Sequence, residues 1–238
     1  MMLYSFFVEF VLGSIFGSFL GALIYRFPRS ISIAEGRSFC DKCKKQISWY
    51  DNIPILSFLI LGGKCRNCKS KIPGINFIIE LTTGIGFVVI GFQPVPLILF
   101  CLLEVIFTID LEHQIIPDIF IFIGLAVLFL NQTYSSLLAG FLAASFLLLI
   151  HLFTKGRGMG LGDVKFAVLG GAVVGLQLTF VWLFLAFLTG ATVGIILILA
   201  EKAKIKDKIA FGPFLVIAIP LTIVYGQRLI DLIGVSIH

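Results

Sequence analysis

Apolar runs of about 20 residues recur along most of this chain, and each is long enough to cross a bilayer core of roughly 30 Å. With 59% hydrophobic and only 13% charged residues, a soluble domain could not cover so much apolar surface. The runs are continuous rather than alternating, which favours helices over a closed strand barrel. The pattern predicts an all-α polytopic membrane protein with eight spans, at about 4–25, 76–92, 95–112, 115–131, 134–153, 163–176, 178–200 and 211–235. The sixth is short and is expected to be tilted or partly re-entrant.

The first run carries no positive charge before its apolar core; Arg26 comes after it. It therefore reads as a retained helix with its N-terminus outside, not a cleaved signal peptide. Lys and Arg set the orientation. Ten lie in residues 26–75, Lys155, Arg157 and Lys165 around the next polar joint, and four lysines in "EKAKIKDKIA". The joints near Gln93–Pro96, Asn131–Tyr134 and Gly175–Leu178 hold none. With eight crossings every basic loop falls in the cytosol, and only Arg228 departs from the pattern. The net charge of +5 then reports orientation rather than nucleic-acid binding, and the basic face can attract anionic membrane lipid.

Three parts are expected: a first helix at 1–25, a cytosolic insertion at 26–75, and a seven-helix core at 76–238. The insertion is polar and rich in turn signals ("NIP", "LGG", "IPG"). It is too small to be stable by burial alone. Cys40 and Cys43 in "CDKC", with Cys65 and Cys68 in "CRNC", suit a tetrahedral Zn²⁺ bound by four thiolates. Neighbouring Lys and Arg favour the thiolates, and a cytosolic setting disfavours disulfides. The metal is expected to be structural. Cys101, in an apolar span, is expected to be a buried thiol.

Among the thirteen acids, Glu35, Asp41, Asp51, Glu201 and Asp207 lie in polar loops and are expected to be solvated. Glu80, Glu104, Asp110, Asp118 and Asp163 touch or enter apolar runs, where an ionisable group is a functional candidate. Asp110 ends a run travelling inward and Asp163 begins one travelling outward, so both stand at the same depth on the cytosolic side. Two carboxylates in one site cannot both ionise easily. One can activate water while the other, protonated, polarises a peptide carbonyl. Asp163 is preceded by Gly160 and Gly162, whose missing Cβ permits unusual dihedrals and close approach of a substrate strand. The competing reading is an ordinary acid at a helix N-terminus behind a flexible loop; both readings stand at this point. The residues disfavour a nucleotide-binding loop, since no strand precedes the glycines and there is no Gly-Lys-Ser/Thr. Asp118, behind Pro117 in a first helical turn, reads as a supporting residue, as does Lys165 beside the glycine motif. Glu104 lies about 9 Å deeper than Asp110 at helical rise; it is expected to be protonated, paired or lining a cavity. Glu80 is expected to pair with a basic residue of the insertion.

The stretches "GSFLGALIYRFPRS", "SFCDKCKKQISWYDNIPILSFLILGGKCRNCKSKI", "IDLEHQIIPD", "GMGLGDVKF" and "AFGPFL" occur in the order seen in type IV prepilin peptidases, and the resemblance covers nearly the whole chain. It implies an aspartyl peptidase of the G-x-G-D class, which includes presenilin-like enzymes, with Asp110 and Asp163 as the catalytic pair. It implies prepilin or pseudopilin substrates, cut after Gly at the cytosolic boundary of a bacterial inner membrane. Many such proteins also N-methylate the new terminus with S-adenosylmethionine, and the cysteine-bearing insertion implies that activity here. Pili of competence or adhesion and secretion systems are not distinguished. The alternatives are a proton-coupled transporter using Glu104, Asp110 and Asp163 as a relay, and a non-catalytic scaffold of a pilus or secretion apparatus.

Overall fold

The computed structural model describes residues 2–32, 38–131, 134–202, 204 and 209–233. Glu35, Arg37, Asp207, Lys206, Lys208 and the 132–133 joint lie outside these described residues. The regular structure of the described residues is α-helical, apart from short 3₁₀ helices at Phe27–Arg29 and Trp49–Asn52 and isolated bridges in the insertion. It divides into two units, Met1–Val105 and Ile106–His238.

The first unit holds α1 (Met2–Arg26), the short α2 (Leu56–Ile60), α3 (Gly74–Ile90) and the first half of α4 (Pro94–His113). α1 lies along α3. Gly13 and Gly17, one turn apart, leave a strip of bare backbone on one face of α1. A Cβ at Gly13 would lie 2.7 Å from the Thr83 carbonyl oxygen, and one at Gly17 would lie 2.8 Å from Glu80 Cα. In lipid, where no hydrophobic force drives helices together, such close backbone packing is what holds them.

The second unit completes α4 and adds α5 (Asp118–Phe129), α6 (Tyr134–Phe153), α7 (Leu161–Val174), α8 (Thr179–Leu199) and α9 (Gly212–Ile233). α7 is its centre, packed by α6, α9 and α5. Its buried residues include Phe166, Ala167, Leu169, Gly170, Gly171 and Ala172, as expected of a helix apolar all round. Gly171 meets the Ala139 carbonyl of α6, where a Cβ would stand 2.8 Å away. Trp182 of α8 lies over Gly170 and donates its Nε1–H to the Leu215 carbonyl of α9 at 2.9 Å.

A helix stands on each of the eight expected segments. Two boundaries move for local reasons. α5 begins at Asp118, not 115, because Gln114 takes φ 55 and Pro117 is the N-cap, which disfavours helical backbone before it. α7 begins at Leu161, two residues early, because Asp163 caps its first turn. Among the described residues, five helices (α1, α4, α6, α8 and α9) are long and apolar enough to cross a membrane. α3, α5 and α7 have 17, 12 and 14 residues. Large exposed apolar side chains such as Val89, Phe141, Phe180 and Phe184 stand on the helix surfaces, an outside suited to lipid rather than water. The protein is an all-α, multi-pass membrane protein.

Candidate active site and cysteine cluster

Asp110 sits three residues before the end of α4, and Asp163 is the third residue of α7. They are 4% and 8% exposed, and Asp110 lies within electrostatic reach of Asp163. Asp163 Oδ2 accepts the Gly160 N–H at 3.0 Å, the reach-back bond of a capping residue at this helix position. The ordinary helix-start role expected for such an acid is therefore present. It does not account for the near-complete burial beside a second carboxyl. Asp110 Oδ2 is buried and makes no well-formed hydrogen bond to a described protein group, as suits an atom kept for catalysis or for a bound water.

The glycines act by absence of bulk more than by unusual backbone. Gly160 is extended, with φ −78 and ψ 151; a Cβ there would lie 3.0 Å from Asp163 Oδ2. A Cβ on Gly162 would lie 3.3 Å from Ile116 Cβ. The left-handed residues of this loop are Lys155, at φ 52, and Gly156, at φ 75. The loop is held at both ends of its span. His151 Nδ1–H donates to the Met159 carbonyl at 2.7 Å, and Thr154 Oγ1 accepts the Gly158 N–H at 3.1 Å.

Two further residues complete the surroundings. Gly212 opens α9 with its backbone N–H beside the Asp110 carboxyl. A Cβ there would stand 2.5 Å from Asp110 Oδ2 and 2.9 Å from Ile116 Cδ1. Ile116, in the α4–α5 joint, thus fills the space between Gly162 and Gly212. The only signal for Gly212 in the sequence is a glycine before proline at a helix start, in "AFGPFL"; nothing along the chain says what it faces. Ile116 carries no signal at all.

The remaining candidates stand elsewhere. Asp118 is paired with Lys165 at 2.7 and 3.0 Å across α5 and α7, both half-exposed. Glu104 accepts from Thr82 and, at 2.8 Å, from Thr83 of α3. Glu80 accepts the Ile55 backbone N–H at 2.7 Å; among the described residues no basic side chain pairs with it. Asp51 is clamped by Arg66 through three contacts of 2.6 to 3.1 Å, which hold its carboxyl below the usual range. Asp41 accepts from Tyr25 at 2.5 Å. Neither of these two is merely solvated. Cys101 is half-buried.

In the insertion, each cysteine pair forms the same turn. Lys44 N–H donates to the Cys40 carbonyl and Lys69 N–H to the Cys65 carbonyl, at 2.8 and 3.0 Å. Lys44 and Lys69 both take left-handed φ, at 57 and 59, and each turn is closed by a bridge, Phe39 with Gln46 and Lys64 with Lys71. The four Sγ atoms lie within 4.8 Å of one another, with Cys40 and Cys68 Sγ 3.8 Å apart. A tetrahedron with Zn–S bonds of about 2.3 Å has edges of about 3.8 Å, so the cluster fits Zn²⁺. The Cys43 backbone amide leads in pulling the Cys40 thiol down to about 6, and Ser70 lowers Cys68. Cys40 and Cys68 are thus held toward thiolate, the form that binds metal, whereas Cys43, against the pull of the Lys45 amide, is pushed up to about 11 by burial and hydrogen bonds with the other three thiols. Cys40, Cys43, Cys65 and Cys68 form a structural Zn²⁺ site.

Two family models match the chain: the bacterial peptidase A24 N-terminal domain over residues 11–93, and the type IV leader peptidase family over residues 97–195. A prepilin leader peptidase/N-methyltransferase of Bacillus subtilis is 31% identical, over 94% of this chain and 96% of its own. Proteins of the same description from Pseudomonas aeruginosa and Vibrio cholerae are 31% and 34% identical, over 92% and 70% of this chain and 90% and 76% of theirs. No solved structure matches significantly. The two matched models run almost end to end over residues 11–195, and the chain belongs to the type IV leader peptidase family, membrane peptidases of the aspartyl type.

Proposed function

We propose that this protein removes the basic leader from prepilin-like proteins, cutting after Gly with Asp110 and Asp163 as the catalytic pair. The observation that carries the reading is the pair itself: two carboxyls from different helices, buried in one site, one with an oxygen that makes no well-formed hydrogen bond to a described protein group. One carboxylate takes a proton from water as the water attacks the scissile carbonyl carbon; the other, protonated, donates to the carbonyl oxygen. Collapse of the tetrahedral intermediate returns a proton to the leaving amine. The titration belongs to the pair and not to either residue. Gly160, Gly162 and Gly212 leave room for an extended substrate strand against the acids. Asp118 and Lys165 support the start of α7, while Glu80 and Glu104 hold the first unit together. The proposal extends to N-methylation of the new terminus with S-adenosylmethionine, a reading supported by the N-methyltransferase part of the relatives' description. The test is direct: purified protein in detergent, mixed with a prepilin-like peptide, yields products ending and starting at the glycine junction by mass spectrometry. No cleavage by the intact, zinc-loaded protein would return the scaffold reading.

The same proposal includes eight spans, with the N-terminus outside and the catalytic acids at the cytosolic face of a bacterial inner membrane. The expected parts are the helix at 1–25, the insertion at 26–75 and the core at 76–238. The basic loops support this arrangement. Lys155 and Lys204 are expected to react with an impermeant amine reagent only after the cytosolic side is opened; labelling of intact cells would overturn the orientation.

Gly212 gives a further expectation. Gly212→Ala places a methyl 2.5 Å from Asp110 Oδ2, so the carboxyl must turn or α9 must retreat. A displacement near 1 Å in a catalytic group costs about 10²-fold in rate, while overpacking costs only about 1–3 kcal/mol of stability. The expected result is a folded, zinc-loaded protein with cleavage down about 100-fold. Unchanged cleavage would remove Gly212 from the site.

A further inference from the structure

The segment from Ile53 to Leu61 is mostly apolar, yet α2 turns much of that surface outward. Leu56, Leu59 and Ile60 are 57%, 60% and 78% exposed. Their position is closely held. Phe58 stacks on Phe77 of α3 with ring centroids 5.0 Å apart. Ile55 N–H donates to Glu80 Oε2 at 2.7 Å, holding Ile55 at φ 63 and ψ −55, a backbone conformation rare for a β-branched residue. At the other end Gly62 and Gly63 take φ 59 and 65 and turn the chain back, Gly63 N–H returning to the Phe58 carbonyl at 2.9 Å.

Phe77 and Glu80 fix the depth. At 1.5 Å per residue they stand roughly 5 and 9 Å along α3 from its start at Gly74. α2 therefore lies beside the first two turns of α3, not beyond its end. The outward face of α3, at Ile78, Ile85 and Val89, is also apolar and exposed. The two surfaces thus overlap in level along α3.

We propose that residues 53–61 are a re-entrant anchor, with Leu56, Leu59 and Ile60 seated among the acyl chains of the leaflet in which α3 begins. A surface that continues the lipid-facing side of a span is covered by the same solvent as that span. Charge points the same way. Exposed Lys64, Lys69 and Lys71 follow α2 and suit anionic headgroups; a second copy of the chain would bring the same lysines against them. The anchor holds the zinc-bearing insertion down on the membrane surface. It rests on the reading of α3 as a span.

A benzophenone-bearing amino acid is placed at Ile60, at Val89 as a control on α3, and at Lys45 as a control in the polar part of the insertion. Each full-length protein is reconstituted into vesicles of phosphatidylethanolamine and phosphatidylglycerol, checked for zinc, irradiated and weighed intact. Ile60 and Val89 are expected to yield phospholipid adducts, about tenfold above Lys45, as hydrocarbon burial requires. Adducts at Val89 without adducts at Ile60 overturn the anchor alone. Chain-to-chain crosslinks at Ile60 also overturn it, making the surface a self-interface. Absence at both Ile60 and Val89 removes the α3 span and the anchor together.

Discussion

Asp110→Asn and Asp163→Asn are each expected to reduce prepilin-peptide cleavage by about 10³-fold or more, equivalent to about 4 kcal/mol of transition-state stabilisation. Asparagine keeps the shape of the side chain but can neither accept a proton from water nor donate one as an acid. At position 163 its amide oxygen can still accept the Gly160 N–H that Asp163 Oδ2 accepts at 3.0 Å, so the start of α7 is preserved. At position 110 it removes a charge from a buried site where Oδ2 makes no well-formed hydrogen bond to a described protein group, so the fold should not suffer. The double variant should lose little more than either single one, because the two act as a unit. Asp118→Asn is the contrast: it breaks only a half-exposed pair with Lys165, worth about 0–1 kcal/mol, and should leave cleavage within about tenfold of wild type. Cleavage rates are read beside helical content and zinc stoichiometry. Either single asparagine variant cleaving at more than about a tenth of the wild-type rate would end the two-carboxyl mechanism.

Cys40→Ser is expected to empty the metal site. Three thiolates with a neutral hydroxyl no longer neutralise and enclose the ion, and structural zinc sites of this kind contribute about 10–16 kcal/mol to small peptides that fold around them. The insertion has little else to hold it: neither of its short 3₁₀ helices nor α2 contains a buried residue. Its other ties include the Asp51–Arg66 clamp, the Tyr25–Asp41 hydrogen bond and the contacts of α2 with α3. Zinc per chain should fall from about one to near zero after dialysis against a chelator, and protease cuts should appear between residues 38 and 72. Cys101→Ser, on α4 away from the cluster, should keep its zinc. A Cys40→Ser protein with full zinc content would refute the four-thiolate site.

The helices and the metal site were legible in the sequence because each is written locally. A span needs only a run of apolar residues, and the C-x-x-C pairs carry both ligand identity and spacing. Even the duplicate turns at Lys44 and Lys69 follow from repeated cysteine spacing. The acids were only half legible. Burial inside apolar runs marked Asp110 and Asp163, but the same criterion marked Glu80 and Glu104, which satisfy a backbone amide and two threonines instead. Asp51 and Asp41 looked like solvated loop acids and are bound by Arg66 and Tyr25.

What hydropathy, charge and cysteine spacing determine is that the chain is helical, lies in a membrane, and carries a stapled polar insertion; these depend on residues close together along the chain. What the packing adds is which distant atoms meet. Gly212 against Asp110, Ile116 between two glycines, and α2 pressed to the first turns of α3 are all consequences of side-chain volume at helix contacts. No periodicity records such a meeting, because it depends on how one helix is rotated against another, and that rotation is set by every residue in the contact at once.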